Sequence, residues 1–142
     1  MTEKRQYLFV YGTLRSDSEH KRLPAMAHAS LTGAATVRGR LYSFGDYCAM
    51  VPDDGPSNIV KGEVYELTGA SVQNTLTALD EYEGLGPRTL DPHEYRRERV
   101  HATLSDGRAC EAWAYVLNRS NEGLQRIESG DFVEWRRSRR QT

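Results

Sequence analysis

From Tyr7 to Tyr11 every side chain is apolar or aromatic, and the run stops at Gly12, followed by Thr13, Leu14 and Arg15. A short unbroken stretch of this kind, rich in aromatic and β-branched residues, predicts a strand covered on both faces rather than one with a wet side. A chain that opens this way must wrap other strands and helices around its first strand. Gly12 lets the backbone turn sharply or approach a neighbour closely. Two readings of that turn stand side by side. It is a tight link between strands, or it is a small concavity in which the amides of Gly12, Thr13 and Leu14 hold a carboxylate or an oxyanion.

With 142 residues, 38% of them hydrophobic and 27% charged, the chain fits a single domain, residues 1–142, around one core. No apolar stretch approaches the length of a membrane span, and the start Met1-Thr2-Glu3-Lys4-Arg5-Gln6 lacks the apolar centre of a signal peptide. The expectation is a cytoplasmic protein that engages no membrane. Cys48 and Cys110 then read as buried free thiols rather than a bridge. A net charge of -1 argues against a dedicated nucleic-acid binder, although a basic tail at about 136–142 concentrates Arg136, Arg137, Arg139 and Arg140. Such a tail reads as a solvated end, with contact to nucleic acid or an acidic partner as the lesser alternative.

Strand signals outnumber helix signals. Ala34 to Phe44 is β-compatible, with Gly39 placed for a bulge or sharp bend. Asp53 to Asn58 is dense in turn formers and releases into a strand from Ile59 to Leu67. Val100–Leu104 and Ala109–Val116 flank Ser105-Asp106-Gly107-Arg108, a hairpin signature. No repeat, linker or low-complexity tract interrupts the pattern. Five or six strands should therefore curl into one sheet or barrel, with helices as covers.

The one strong helix signal runs from about Ala70 to Glu83, with Gly84 as a stop. Taking Val72 as zero, Leu76 lies at about 40°, Leu79 at about 340° and Glu83 at about 20° around the helix, so Glu83 continues the apolar stripe. Asp80 falls at the stripe's margin and Glu81 on the opposite side. A carboxylate on a core-facing stripe costs at least several kcal/mol unless it is paired. Either Glu83 bridges to Arg96, Arg97 or Arg99, or the last turn frays and releases it, or it is a general base whose pKa is lifted by partial desolvation.

Tyr11-Gly12-Thr13-Leu14, Gly39-Arg40-Leu41-Tyr42, Val60-Lys61-Gly62-Glu63-Val64-Tyr65, Leu79-Asp80-Glu81-Tyr82-Glu83-Gly84, Tyr95-Arg96-Arg97 and Ala112-Trp113-Ala114-Tyr115-Val116 occur in this order. Together they resemble the γ-glutamylcyclotransferase-like family, which includes the γ-glutamylamine cyclotransferases and the plant avirulence-induced proteins. The resemblance spans roughly Tyr7 to Val116. It implies an α+β fold, a small closed or nearly closed mixed β-barrel with covering helices, and a cavity between the Tyr11–Leu14 loop and the end of the main helix. It also implies that Glu83 is the catalytic acid/base.

The implied chemistry converts a γ-glutamyl amide into 5-oxoproline and releases an amine. The substrate's own α-amino group attacks its γ-carbonyl, so no protein nucleophile and no cofactor is required. This fits the lack of any Ser/His/Asp or Cys/His constellation in the sequence. His20, His28, His93 and His101 are scattered without metal-ligand spacing. Within the implied site, Gly12, Thr13 and Leu14 would anchor the glutamyl carboxylate or the oxyanion. Arg15 either neutralises an anionic substrate or is merely solvated. Tyr11, Tyr42 and Tyr115 either line the cavity or belong to the core. Residues 84–94 read equally as a lid or an ordinary surface loop. The alternative to catalysis is a binding module that uses the same cavity to hold a γ-glutamyl or other small carboxylate metabolite.

Overall fold

Strand β1 (Gln6–Val10) lies between two neighbours, antiparallel to β4 (Ile59–Leu67) along all of its residues and parallel to β6 (Ala109–Leu117) at Leu8 and Trp113. This is the central position that its unbroken apolar run predicts. The computed structural model describes residues 6–12, 29–44, 47–55, 57–67, 72–82 and 95–140. Within them β4 pairs β2 (Ala29–Phe44), β2 pairs β5 (Tyr95–Leu104), β5 pairs β6, and β6 returns to β1. These five strands close a mixed barrel. The long β2 then continues past the ring to pair β3 (Tyr47–Pro52) and the two-residue β7 (Gln125–Arg126), and β3 bridges back to β6 at Met50 and Val116.

Alternation along the strands builds two cores. Phe9, Val37, Leu41, Met50, Val64 and Val116 fill the interior. Leu8, Val10, Tyr65, Leu67 and Tyr115 face outward and are covered by Leu76 and Leu79 of α1 (Val72–Tyr82). The helical stripe read from the sequence is thus the buried one, and Thr75, at about 300° on the same wheel, is buried with it.

Gly62 sits at a tight point of the interior. A Cβ there would lie 2.2 Å from the Val10 carbonyl oxygen and 2.8 Å from the Phe9 ring, and Val10 belongs to a paired strand that cannot retreat. Gly62→Ala is expected to destabilise the fold by about 3 kcal/mol, as overpacking of a dense core does, read as a lower urea midpoint with unchanged slope.

Several expectations shift. Gly39 forms no bulge: the register shift in β2 falls between Leu31 and Gly33, while Gly39 marks the handover of β2 from β4 to β3. β5 begins at Tyr95 rather than Val100. Its charged first half survives as a strand because Arg99 pairs with Glu111 at 2.7 Å, and Arg97 and Arg99 each stand 4.6 Å from the Trp113 ring centroid. The sequence pattern predicts no helix at the C-terminal end, and one is present there. Residues through Arg140 form α2 (Phe132–Arg140), whose amide at Glu134 is capped by Asp131 at 3.0 Å and whose Phe132 and Val133 are buried. Both cysteines are free thiols, as expected, but only Cys48 is buried; Cys110 is half-buried.

Candidate functional site

At its C-terminal end β1 delivers Tyr11 inward and Gly12 onto β3. The Tyr11 hydroxyl donates to the carbonyl of Tyr115 and accepts the amide of Met50 at 3.0 Å. One side chain therefore ties the ends of β1, β6 and β3 together. Directly beyond it, Gly12 lies so close to Cys48 that a Cβ would stand 3.1 Å from the sulfur. From the other side the Tyr95 hydroxyl donates to the Cys48 carbonyl at 2.6 Å.

Tyr115 belongs to the other face of the same corner. Its backbone receives Tyr11, while its ring packs in the outer cluster that contains Leu79 of α1. Tyr11–Gly12 and the Tyr115 backbone thus meet at one corner of the barrel, and Tyr115 shares the outer cluster with Leu79 of α1. Thr13, Leu14, Arg15 and Glu83 lie outside the described residues, as does the 84–94 segment.

Tyr42 is placed elsewhere. Leu41 is buried in the interior, so alternation puts Tyr42 on the outer side of β2, where its hydroxyl accepts a bond from Arg40 Nη1 at 2.9 Å. Arg40 Nε in turn stands 3.3 Å from Asp53 Oδ2. The amide of Gly55 and the side-chain amide of Asn58 also donate to Asp53, at 3.0 and 2.9 Å, and Arg126 donates to Asn58 at 2.7 Å. This network fastens the turn after β3 to β2 and β7.

These bonds, led by the Gly55 amide and then Asn58, hold the Asp53 carboxyl below its ordinary pKa, with the charges of Arg40 and Arg126 adding to the effect. A carboxylate whose pKa is depressed on folding stabilises the fold above its unfolded value, and that contribution disappears as pH falls through the folded value. Wild type is expected to exceed Asp53→Asn in thermal midpoint near neutral pH. The gap should close on acidification below the usual carboxylate range, in a melting series from pH 7 to pH 2.

A cavity of about 300 Å³ opens at the opposite end of the barrel, beside Tyr7, Cys110 and Trp113. It is lined by none of the residues predicted for the site. Burial raises the pKa of the Cys110 thiol, the Arg108 charge opposing only in part, so this wall is not a thiolate nucleophile at neutral pH.

Sequence reasoning gave no site role to Cys48, Met50 or Tyr95, although all three meet at the Tyr11–Gly12 corner. Tyr95 opened a recognised motif, which was the available signal. Cys48 and Met50 carried none, because β3 was not read as a strand.

A closed mixed barrel with a glycine turn leaving its central strand and a helix laid across its outer face defines a fold shared by a wide set of proteins. Residues 8–137 match the family model described as gamma-glutamyl cyclotransferase, AIG2-like. The gamma-glutamylcyclotransferase family protein YtfP of Escherichia coli K12 is 34% identical over 128 residues, covering 89% of this chain and 96% of that protein. The chain belongs to this family. Among solved structures, YkqA from Bacillus subtilis superposes with a TM-score of 0.72 at 24% identity, covering 98% of this chain and 44% of YkqA. An AIG2-like protein from Mus musculus does so with a TM-score of 0.64 at 19% identity, over 89% of this chain and 88% of the other. Both likenesses are likenesses of fold. Among the described residues no helix is long and apolar enough to cross a membrane.

Proposed function

We propose that this protein cyclises a γ-glutamyl amide to 5-oxoproline and releases the attached amine, with Glu83 as general acid/base. The observation that carries the reading is the corner itself. Tyr11, at the end of β1, is linked to Tyr115 of β6 through one hydroxyl, and Tyr115 belongs to the same outer cluster as Leu79, four residues before Glu83 in sequence. Family membership supports the same class of chemistry.

In this reading the protein's main task is positional. The substrate's α-amino nitrogen and γ-carbonyl carbon belong to one molecule, and holding them in reactive contact lowers the barrier by about 7–11 kcal/mol in well-oriented intramolecular reactions. The nitrogen attacks the carbonyl, and Glu83 takes a proton from the attacking amine. The tetrahedral intermediate then collapses, the C–N bond to the leaving amine breaks, and Glu83 returns the proton to that amine. Gly12, with Thr13 and Leu14, supplies amides toward the anionic oxygen or the glutamyl carboxylate. Arg15 adds positive charge for an anionic substrate. No cofactor takes part.

The test is a panel of γ-glutamyl amides that differ in the leaving amine, incubated with the protein and read by mass spectrometry for loss of amine and appearance of the lactam. Turnover of at least one member is expected. Saturable binding without product throughout the panel would replace the enzyme with the binding module.

A further inference from the structure

The cavity beside Tyr7 and Trp113 has a construction of its own, separate from the Tyr11 corner. It opens along the seam between β1 and β6, which pair through the single bridge of Leu8 and Trp113. On the β2 side the register slips between Leu31 and Gly33, so Thr32 is an extra residue with no partner position on β4, and it lines the cavity. Bulges of this kind re-aim a side chain and are common beside sites. Strand parity divides the rest of the lining into two layers. Leu104 and Ala112 belong to the interior cluster, Tyr7 and Cys110 pack against it, and the four form an apolar floor. Gln6, Arg99, Glu111 and Trp113 alternate with those inward residues and form the rim, which Arg108 extends from the hairpin turn.

That rim is rich in donors. Arg99 Nη1 donates to Glu111 and Arg108 Nε to Asp106, each at 2.7 Å. A guanidinium carries five N–H groups, so both keep donors to offer, and both ion pairs are solvent-exposed, where such pairs contribute little and yield readily to a ligand. Gln6 accepts the Trp113 indole N–H with Oε1 at 3.0 Å, which leaves its amide N–H groups to donate. Arg97 and Arg99, each 4.6 Å from the Trp113 ring centroid, fix that side of the rim. With Arg99 and Arg108 set against Glu111 alone, the lining carries net positive charge. Its volume of about 300 Å³ lies at the lower end of the range for small-molecule sites.

We propose that this cavity is a second binding site, for a small organic carboxylate whose apolar body covers the floor and whose anionic head meets Arg99 and Arg108 at the rim. An inorganic anion would leave the floor uncovered, and a neutral apolar molecule would draw nothing from the guanidiniums. The site does not depend on the proposed cyclisation, and its test needs no turnover.

Phenylacetate is the probe, with acetate supplying the head alone and phenylacetamide the same body without charge. The chain has two tryptophans, so two indole N–H signals report in a nitrogen–proton correlation spectrum of the wild type. Phenylacetate is expected to shift the Trp113 signal saturably, with a Kd of about 1 mM or below, and to leave that of Trp135 in place. Acetate and phenylacetamide should each bind about tenfold more weakly, the loss of one charge-assisted contact or of the apolar cover. Arg99→Gln and Arg108→Gln should each weaken phenylacetate by about tenfold, and Arg108 is exposed on the hairpin, so its replacement leaves the fold intact. Glu111→Gln, which removes the opposing charge from the rim, should tighten binding. The absence of a saturable shift at Trp113, equal affinity for phenylacetamide, or unchanged affinity in both arginine variants would each overturn the site.

Discussion

Glu83→Gln is expected to abolish 5-oxoproline release while leaving the far-ultraviolet spectrum and thermal midpoint close to wild type. The amide has the size of the carboxylate but no basic oxygen, so it can neither accept the proton of the attacking amine nor return one to the leaving amine. General acid–base groups typically contribute about 10²–10⁴ in rate, and here one group serves both transfers, so the loss should lie toward the upper end of that range. Binding should survive, because the proposed role of Glu83 is proton transfer and the proposed anchor of the glutamyl moiety is the loop after Tyr11. Calorimetry of the variant with a γ-glutamyl amide then gives an affinity near that of wild type with no product. Full turnover by Glu83→Gln would remove the acid/base assignment, whatever the fate of the fold.

A pH–rate profile supplies the complementary reading. With Glu83 as the base, the rate is expected to rise with pH through a single ionisation. The same ionisation should be missing from whatever residual activity the glutamine variant retains.

How much of this was legible beforehand depends on whether a segment's role is written in its own residues. β1 was legible because a strand with neighbours on both sides and cover on both faces has no polar side to show. The stripe of α1 was legible because Leu76 and Leu79 recur at helical spacing, and the structure buries that arc. The hairpin around Gly107 was legible because its turn chemistry is local. β3 was not, since Tyr47 to Pro52 is short and its place depends on pairing with β2 and on bonds from Tyr11 and Tyr95. α2 was hidden for a related reason. Its arginines dominate the composition, while Phe132 and Val133 anchor only its first turn. Tyr42 shows the limit from the other side: its motif was recognised correctly, but the parity of β2 turns it away from Tyr11 and toward Arg40 and Asp53.

Tyr11→Phe should give the largest stability loss of any single-atom deletion in the candidate site. The ring stays, so its packing against Phe9, with centroids 6.0 Å apart, is retained. What goes is one oxygen that serves two buried backbone groups at once, the Met50 amide and the Tyr115 carbonyl. Tyr11 is 6% exposed and both partners are covered, so water cannot readily replace the hydroxyl. Losing a hydrogen bond to a buried backbone group costs about 1–3 kcal/mol, and two such bonds are lost together, giving a total of about 3 kcal/mol. For a chain of this length that corresponds to a fall of about 10 °C in melting temperature. If the hydroxyl instead contacted substrate, its removal would raise KM with little change in stability. A melting temperature within about 2 °C of wild type together with a tenfold rise in KM would show that outcome. The two bonds already drawn on this oxygen favour the first result: the tyrosine that opens the motif holds the ends of three strands together, and the glycine after it keeps its place because that corner cannot open.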